Sequence, residues 1–152
     1  MKIHKTVTIL NKRARFEYEL SDEVEAGIVL TGTEIKSLRS SKASITESFC
    51  QFINDELYII NMSIEEYKLG TFYNHKIKRE RKLLLHKKEL LKFNKKLNDI
   101  GNSIIPLKLF INDAGKAKVL IAVGRGKKLY DKRESIKDRE SKRNLDRILK
   151  KS

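Results

Sequence analysis

Cysteine is almost missing from this chain. The single thiol, Cys50, allows no internal disulfide and no multi-cysteine zinc site. No stretch is long and apolar enough to cross a bilayer. The opening MKIHKTVTIL carries neither an apolar signal core nor a small-residue cleavage site. The expectation is a cytoplasmic chain with no membrane partner. Acids are scarce against bases: 20 Asp and Glu face 34 Lys and Arg, a formal net charge of +14. Such an excess speaks of partners and solubility rather than of fold. It suits a phosphate backbone, whose counterions are released as cations replace them.

Catalytic signatures are as scarce as cysteine. The three histidines, His4, His75 and His86, fall on an N-terminal arm, a basic loop and a helix start. None has the i, i+4 partner of a helical metal site. Cys50, inside SFCQF, reads as a core thiol. Asp22, Glu23 and Glu25 cluster, but a helix N-terminus accounts for acids there. No Gly-Lys-Ser/Thr phosphate loop occurs, and GKKLY has the wrong length and residues. The chain therefore reads as no enzyme, with no metal and no cofactor.

What remains is a patterned domain with a charged ending. At 152 residues there is room for one core and an appendage. RFEYEL alternates, as a half-buried strand does. SDEVEAG follows, with Ser21 or Asp22 placed to cap a short helix and Gly27 to end it. IVLTGTEIKSL reads as strand, with Gly32 at a bulge. SITESFCQFIND and ELYIINMSIEEY form a hairpin about a turn at Asn54 to Glu56. YKLGTFYNHKIKRERK is basic and turn-rich, a surface loop. In LLLHKKELLKFNKKLNDIG the period changes. Leu90, Phe93, Leu97 and Ile100 share one helical face, and Gly101 is a natural stop. SIIPLKLFIND and GKAKVLIAVGRG make a second hairpin about an Asp-Ala-Gly turn. The one proline, Pro106, sits near a strand start.

About six short strands, one short helix and one long helix imply an α+β fold, mainly β. The match is an oligonucleotide-binding-type antiparallel barrel with flanking helices, since closure removes exposed sheet edges. A split α+β sandwich would give similar strings. After Val123 the alternation stops. Residues 124–152 hold twelve Lys and Arg against five Asp and Glu, half of the net charge in a fifth of the chain. Gly124 to Gly126 reads as flexible. The apolar stripe of Ile136, Leu145, Ile148 and Leu149 is too thin to offset ordering entropy alone. The division expected is a barrel over residues 1–123 and a flexible basic tail over 124–152, the tail free to form helix on a partner.

Three basic runs mark a nucleic-acid face: NKRAR at Asn11 to Arg15, IKSLRSSK with Lys36, Arg39 and Lys42, and KRERK at Lys78 to Lys82. Phe16, Phe72, Tyr73 and Tyr130 lie among or near them and can stack on bases or ribose. Core burial competes with stacking for each except Tyr130. For Glu25, residue chemistry alone favours local pairing with Arg or Lys.

Six stretches, in order, resemble the SsrA-binding protein family, small protein B. They are LNKRARFEYEL, EAGIVLTGTEIKSLR, KASITESF, RKLLLHKKEL, IPLKLFIND with GKAKV, and GRGKKLYDKRESIKDR. The resemblance runs from about Ile9 to Lys150. It implies a barrel that binds the tRNA-like domain of transfer-messenger RNA and brings it to stalled ribosomes. The tail would read the empty decoding centre and mRNA channel, and the free protein would be a monomer. The family's RNA-contacting positions fall on Asn11, Lys12, Arg13, Glu25, Lys36, Arg39, Leu84 and Lys118. Its ribosome-contacting tail positions fall on Gly126, Lys127, Lys128, Tyr130, Asp131, Lys132, Arg133 and Ile148. Glu25 thereby becomes an RNA contact. Two departures stand out. Lys76 and Ile77 follow Asn74-His75 where the family often has an acid and a proline, which makes this loop more basic and less rigid. Ser41 stands where glycine is usual, against a left-handed turn.

Overall fold

The computed structural model describes residues 7–70 and 74–127. In chain order the elements are β1 (Thr8–Leu10), α1 (Ala14–Glu17), β2 (Tyr18–Ile28), α2 (Gly32–Arg39), β3 (Ala43–Ser44), β4 (Phe49–Ile53) and β5 (Glu56–Ile60). There follow β6 (Ser63–Ile64), β7 (Arg81–Leu84), α3 (Lys87–Leu97), β8 (Asn102–Ile111) and β9 (Ala117–Gly126). Six strands close into a ring in the order β8, β4, β5, β7, β2, β9, with β9 pairing back to β8 and β1 added outside β8. Every pairing among the described strands is antiparallel. This is the barrel expected from the strand pattern, and ring closure sets the sandwich aside.

Both expected hairpins form. Asn54 and Asp55, at φ +51° and +64°, turn β4 into β5, a pair of left-handed residues that matches strand twist. Gly115 at φ +79° turns β8 into β9. Two bulges bend the wall so that it can close. One lies between Ser21 and Val24, with Asp22 at φ +55°, and the other between Pro106 and Lys108. Pro106 thus sits inside β8 rather than near its start, and the bulge tolerates its missing N–H. The second bulge also splits the expected apolar row. Leu109 and Ile111 join the barrel interior, whereas Leu107 packs outside with Ala14, Ile105 and Ala122 beneath α1.

The interior is filled by Ala26, Leu57, Ile59, Leu83, Ile104, Leu109, Val119 and Ile121, with Phe93 of α3 buried among them. Leu90 and Leu97 pack beside Phe93, as their spacing predicts. Ile100 does not. It lies past the end of α3 and is 97% exposed. Gly101, at φ +91°, supplies the turn out of the helix. Cys50 is a buried core thiol, and burial pushes its pKa up.

Two segments fold with a different period from the one expected. The expected helix at 21–27 is strand, because Val24, Ala26 and Ile28 alternate inward and that burial outweighs the capping signal. The expected strand across 28–38 is α2 over most of its length. The Glu34 N–H donates to Thr31 Oγ1 at 3.4 Å and the Thr31 N–H to Glu34 Oε1 at 2.9 Å, a reciprocal helix start written in the sequence as T-x-x-E. Gly32 is the first residue of that helix and not a bulge. The flexible Gly124-Arg125-Gly126 is also corrected. All three are in β9, opposite Leu20, Glu19 and Tyr18, so the ladder runs three residues past the expected barrel limit. Ser41 keeps the left-handed turn that glycine would make, at φ +58°. Among the described residues, no helix is long and apolar enough to cross a membrane.

Candidate nucleic-acid interface

Strand alternation decides which side chains reach the outside. In β2, Val24, Ala26 and Ile28 point inward, so Glu25 and Gly27 face out. In β9, Val119 and Ile121 point inward, which turns Lys118 and Leu120 out; in β7, Leu83 is buried and Leu84 is 54% exposed. Register then aligns them. Gly27 pairs with Leu84 on one side and Lys118 on the other, and Lys118 pairs with Phe110 of β8. The next row runs Glu25, Leu120, Lys108, Leu10. Three positions scattered along the sequence, Glu25, Leu84 and Lys118, therefore occupy one patch on three neighbouring strands.

Gly27 is central to that patch. Its backbone has no need of glycine, since its φ lies outside the left-handed region, yet a Cβ there would sit 3.2 Å from Leu84 Cβ. A strand glycine without a turn marks a close approach of another backbone or a ligand. Lys108 Nζ lies 4.7 Å from the Phe110 ring centroid, which holds a cation over an aromatic beside the patch. Gly27, Lys108, Phe110 and Leu120 were missed by sequence reasoning. The signal available was a glycine inside a period-two run, hidden by reading that run as helix.

The other matched positions lie at the end of β1 and on α2. Asn11 is buried: its Nδ2 donates to Pro106 O at 2.9 Å and its N–H to Leu107 O at 2.9 Å, so it fastens the β1 end to the bulge of β8. Lys12 and Arg13 beside it are exposed. Lys36 and Arg39 project from α2, whose Glu34, Ser37 and Leu38 are buried, and no strand register joins them to the Glu25 row. Lys36 Nζ lies 5.5 Å from the Tyr67 ring centroid.

The KRERK run is not the free basic face its composition suggests. Arg81 is fully buried. Its Nε donates to Glu34 Oε2, its Nη1 to Met62 O at 2.8 Å and its Nη2 to Ile77 O at 3.1 Å. Arg79 Nη2 donates to Glu34 Oε1 at 2.6 Å. Burial works against the Glu34 charge, but the bonds from Arg79, the Thr31 N–H and Arg81 outweigh it and lower its pKa to about 2. His75 joins the same tie. Its Nε2 donates to Ile64 O at 2.9 Å, and its Nδ1 shares a hydrogen bond with the Thr33 hydroxyl at 2.9 Å. Asp22 is spoken for as well, 3.1 Å from Lys92 Nζ, whose bond lowers its pKa. Glu25 forms no ion pair among the described residues, in contrast to the local pairing its chemistry favours.

Of the tail positions, Gly126 ends β9 exposed, and the Lys127 N–H donates to Glu17 O at 2.9 Å. Lys128, Tyr130, Asp131, Lys132, Arg133 and Ile148 lie outside the described residues, as do Phe72 and Tyr73.

The family model described as SmpB protein matches residues 8–151. The chain belongs to the SmpB protein family. An SsrA-binding protein of Flavobacterium psychrophilum is 62% identical over 146 residues, 96% of this chain and 97% of that protein. The SsrA-binding protein of Bacteroides thetaiotaomicron is 52% identical over 95% of this chain and 97% of its own length. A solved chain described as "tmRNA-SmpB: a journey to the center of the bacterial ribosome" superposes with a TM-score of 0.69 at 44% identity. It covers 85% of this chain and 94% of that one. In this SmpB chain, Glu25, Leu84 and Lys118 are the three expected positions that strand register brings together around Gly27.

Proposed function

We propose that this chain is an RNA-binding adaptor of trans-translation. It binds the tRNA-like domain of transfer-messenger RNA and delivers it to stalled ribosomes, where the peptide is tagged and the ribosome freed. The row Leu84, Gly27, Lys118 with Glu25 alongside carries this reading. Lys118 supplies a cation for phosphate, and Glu25 an acceptor for ribose hydroxyls or base amino groups. Leu84 and the bare Gly27 backbone supply a flat apolar seat. Lys12 and Arg13 extend the phosphate contacts at one end, and Lys36 and Arg39 do so from α2.

The body positions RNA and has no bond to make or break, so the reading needs no cofactor, and the protein works in the cytoplasm as a monomer when free. Residues past the barrel form a basic arm that meets an empty decoding centre and mRNA channel, which makes delivery conditional on the absence of message. In this division Lys127 and Lys128, Tyr130 and the Asp131-Lys132-Arg133 run meet the decoding centre, and Ile148 lies further along the channel. The test is anisotropy of labelled tRNA-like domain with the full chain. Lys118→Ala and Glu25→Ala weaken binding while the melting temperature holds. Unchanged binding in both variants overturns the assignment of this patch.

A further inference from the structure

A second cleft lies away from the Gly27 patch, between α2 and the turn at 65–70. Its volume is about 400 Å³, within the roughly 300–1,000 Å³ usual for small-ligand pockets. Ser37, Lys42, Glu65, Glu66, Tyr67 and Lys68 line it.

The turn is fastened in place without a core to justify it. Asn74 Nδ2 donates to Tyr67 O at 2.9 Å, and Asn74 Oδ1 accepts the Tyr67 N–H at 3.2 Å and the His75 N–H at 3.1 Å. The Gly70 N–H also donates to Tyr67 O, at 2.8 Å. A Cβ on Gly70 would lie 2.8 Å from Asn74 Nδ2, so the tie requires glycine. The Glu65 N–H donates to Lys42 O at 2.9 Å and sets the other side. What this holds up is not packed away: Leu69 is 82% exposed, and Glu65 and Glu66 are exposed with no ion pair among the described residues. On the α2 side, Ser37 is 2% exposed and its hydroxyl oxygen has no hydrogen-bond partner. Lys36, on the same helix, sits against the Tyr67 ring.

An aromatic ring, two lysines and two carboxylates with no ion pair among the described residues line this one cleft, and these are the parts of a nucleotide seat. Lysines take phosphate, the ring takes a base face, and a carboxylate takes N–H donors from a base edge. Guanine is the base whose Watson–Crick edge offers two neighbouring N–H donors, which one carboxylate can accept together. We propose that this cleft seats one unpaired guanine nucleotide of the bound RNA. The base stacks on Tyr67, its edge is read by Glu65 or Glu66, and its phosphate lies on Lys42 and Lys68. The proposal rests on the RNA-binding reading and deepens it by naming a nucleotide.

The experiment titrates the ¹⁵N-labelled full chain with guanosine, adenosine, cytidine and uridine monophosphates at one stated salt concentration. Guanosine monophosphate shifts the amides of Ser37 and residues 65–69 at about tenfold lower concentration than the other three, the low end of discrimination by a bidentate base contact. Tyr67→Ala abolishes the shifts for all four. The double variant Glu65→Gln, Glu66→Gln keeps binding but loses the preference. Equal shifts for all four nucleotides, or shifts confined to the Lys118 face, overturn the proposal. The same variants are then tested against the tRNA-like domain. If wild type binds that RNA but shows no guanine preference, the cleft proposal alone falls. If wild type prefers guanosine monophosphate but ignores that RNA, the guanine cleft stands and the RNA partner is wrong.

Discussion

Glu34→Gln removes the anion from a site that was built around it. Glu34 and Arg81 are both fully buried, and the carboxylate is also held by Arg79 and by the Thr31 N–H. Glutamine keeps the shape and strands the Arg81 charge. Breaking a buried pair from one side costs about 3–5 kcal/mol. At about 2–4 °C per kcal/mol for a chain of this size, the melting temperature falls by roughly 10 °C. The pH dependence makes the test sharper. The Glu34 pKa is lowered in the fold from 4.5 to about 2, so its stabilisation is whole above the unfolded value and is lost as pH falls through the folded one. Glutamine cannot titrate. The stability gap between wild type and variant is therefore flat near neutrality and narrows by about 3 kcal/mol between about pH 5 and pH 2. Urea unfolding followed by circular dichroism reads it directly. A gap below about 1 kcal/mol at neutral pH, or one that does not narrow in acid, refutes the claim that this pair is a buried structural tie.

Truncation after Lys127 leaves the melting temperature and RNA affinity nearly unchanged and abolishes peptide tagging, whereas truncation after Val123 also lowers the melting temperature, because Gly124 to Gly126 pair with β2; equal loss of affinity and tagging in the shorter deletion contradicts the division of labour. Gly124→Ala places a methyl 2.9 Å from Ile105 Cγ1 and destabilises the fold by about 1–3 kcal/mol in urea titration, and a neutral result counts against the close packing there. Gly27→Val weakens tRNA-like-domain binding at constant fold, read by anisotropy beside circular dichroism, and retained affinity argues that nothing approaches the backbone there. Cys50 resists alkylation in the native state at mildly alkaline pH, since burial raises its pKa, and rapid labelling by mass spectrometry contradicts its place in the core.

Local signals were enough for the hairpins and for α3. Asn-Asp and Asp-Ala-Gly turns sit between alternating runs, and Leu90, Phe93 and Leu97 keep helical spacing, so nothing distant had to be known. The segment from Ser21 to Leu38 defeated local reading twice for related reasons. Acids after Ser21 mimic a helix start, but burial of Val24, Ala26 and Ile28 in a closed barrel decides for strand. The apolar opening of IVLTGTEIKSL mimics strand, but the Thr31–Glu34 exchange starts a helix. Arg81 shows the limit of composition. It lies in a run of cations and is the most buried of them, because its partner is 47 residues away. The Gly27 patch depends on register across three strands, which spacing along one chain cannot reveal. The family resemblance points to Glu25, Leu84 and Lys118 without that geometry; register places them on three neighbouring strands with Gly27 between them.

The central claim is specific binding of the tRNA-like domain. A gel shift tests it most directly, with the full chain titrated into that RNA and into an unrelated hairpin of equal length at the same stated moderate salt, because the phosphate contribution falls steeply with salt. The account predicts a complex with the tRNA-like domain at least about tenfold tighter than with the hairpin, a gap of about 1.4 kcal/mol that holds as salt is raised. Equal affinity for both, lost together on adding salt, would contradict it and leave a general basic RNA binder.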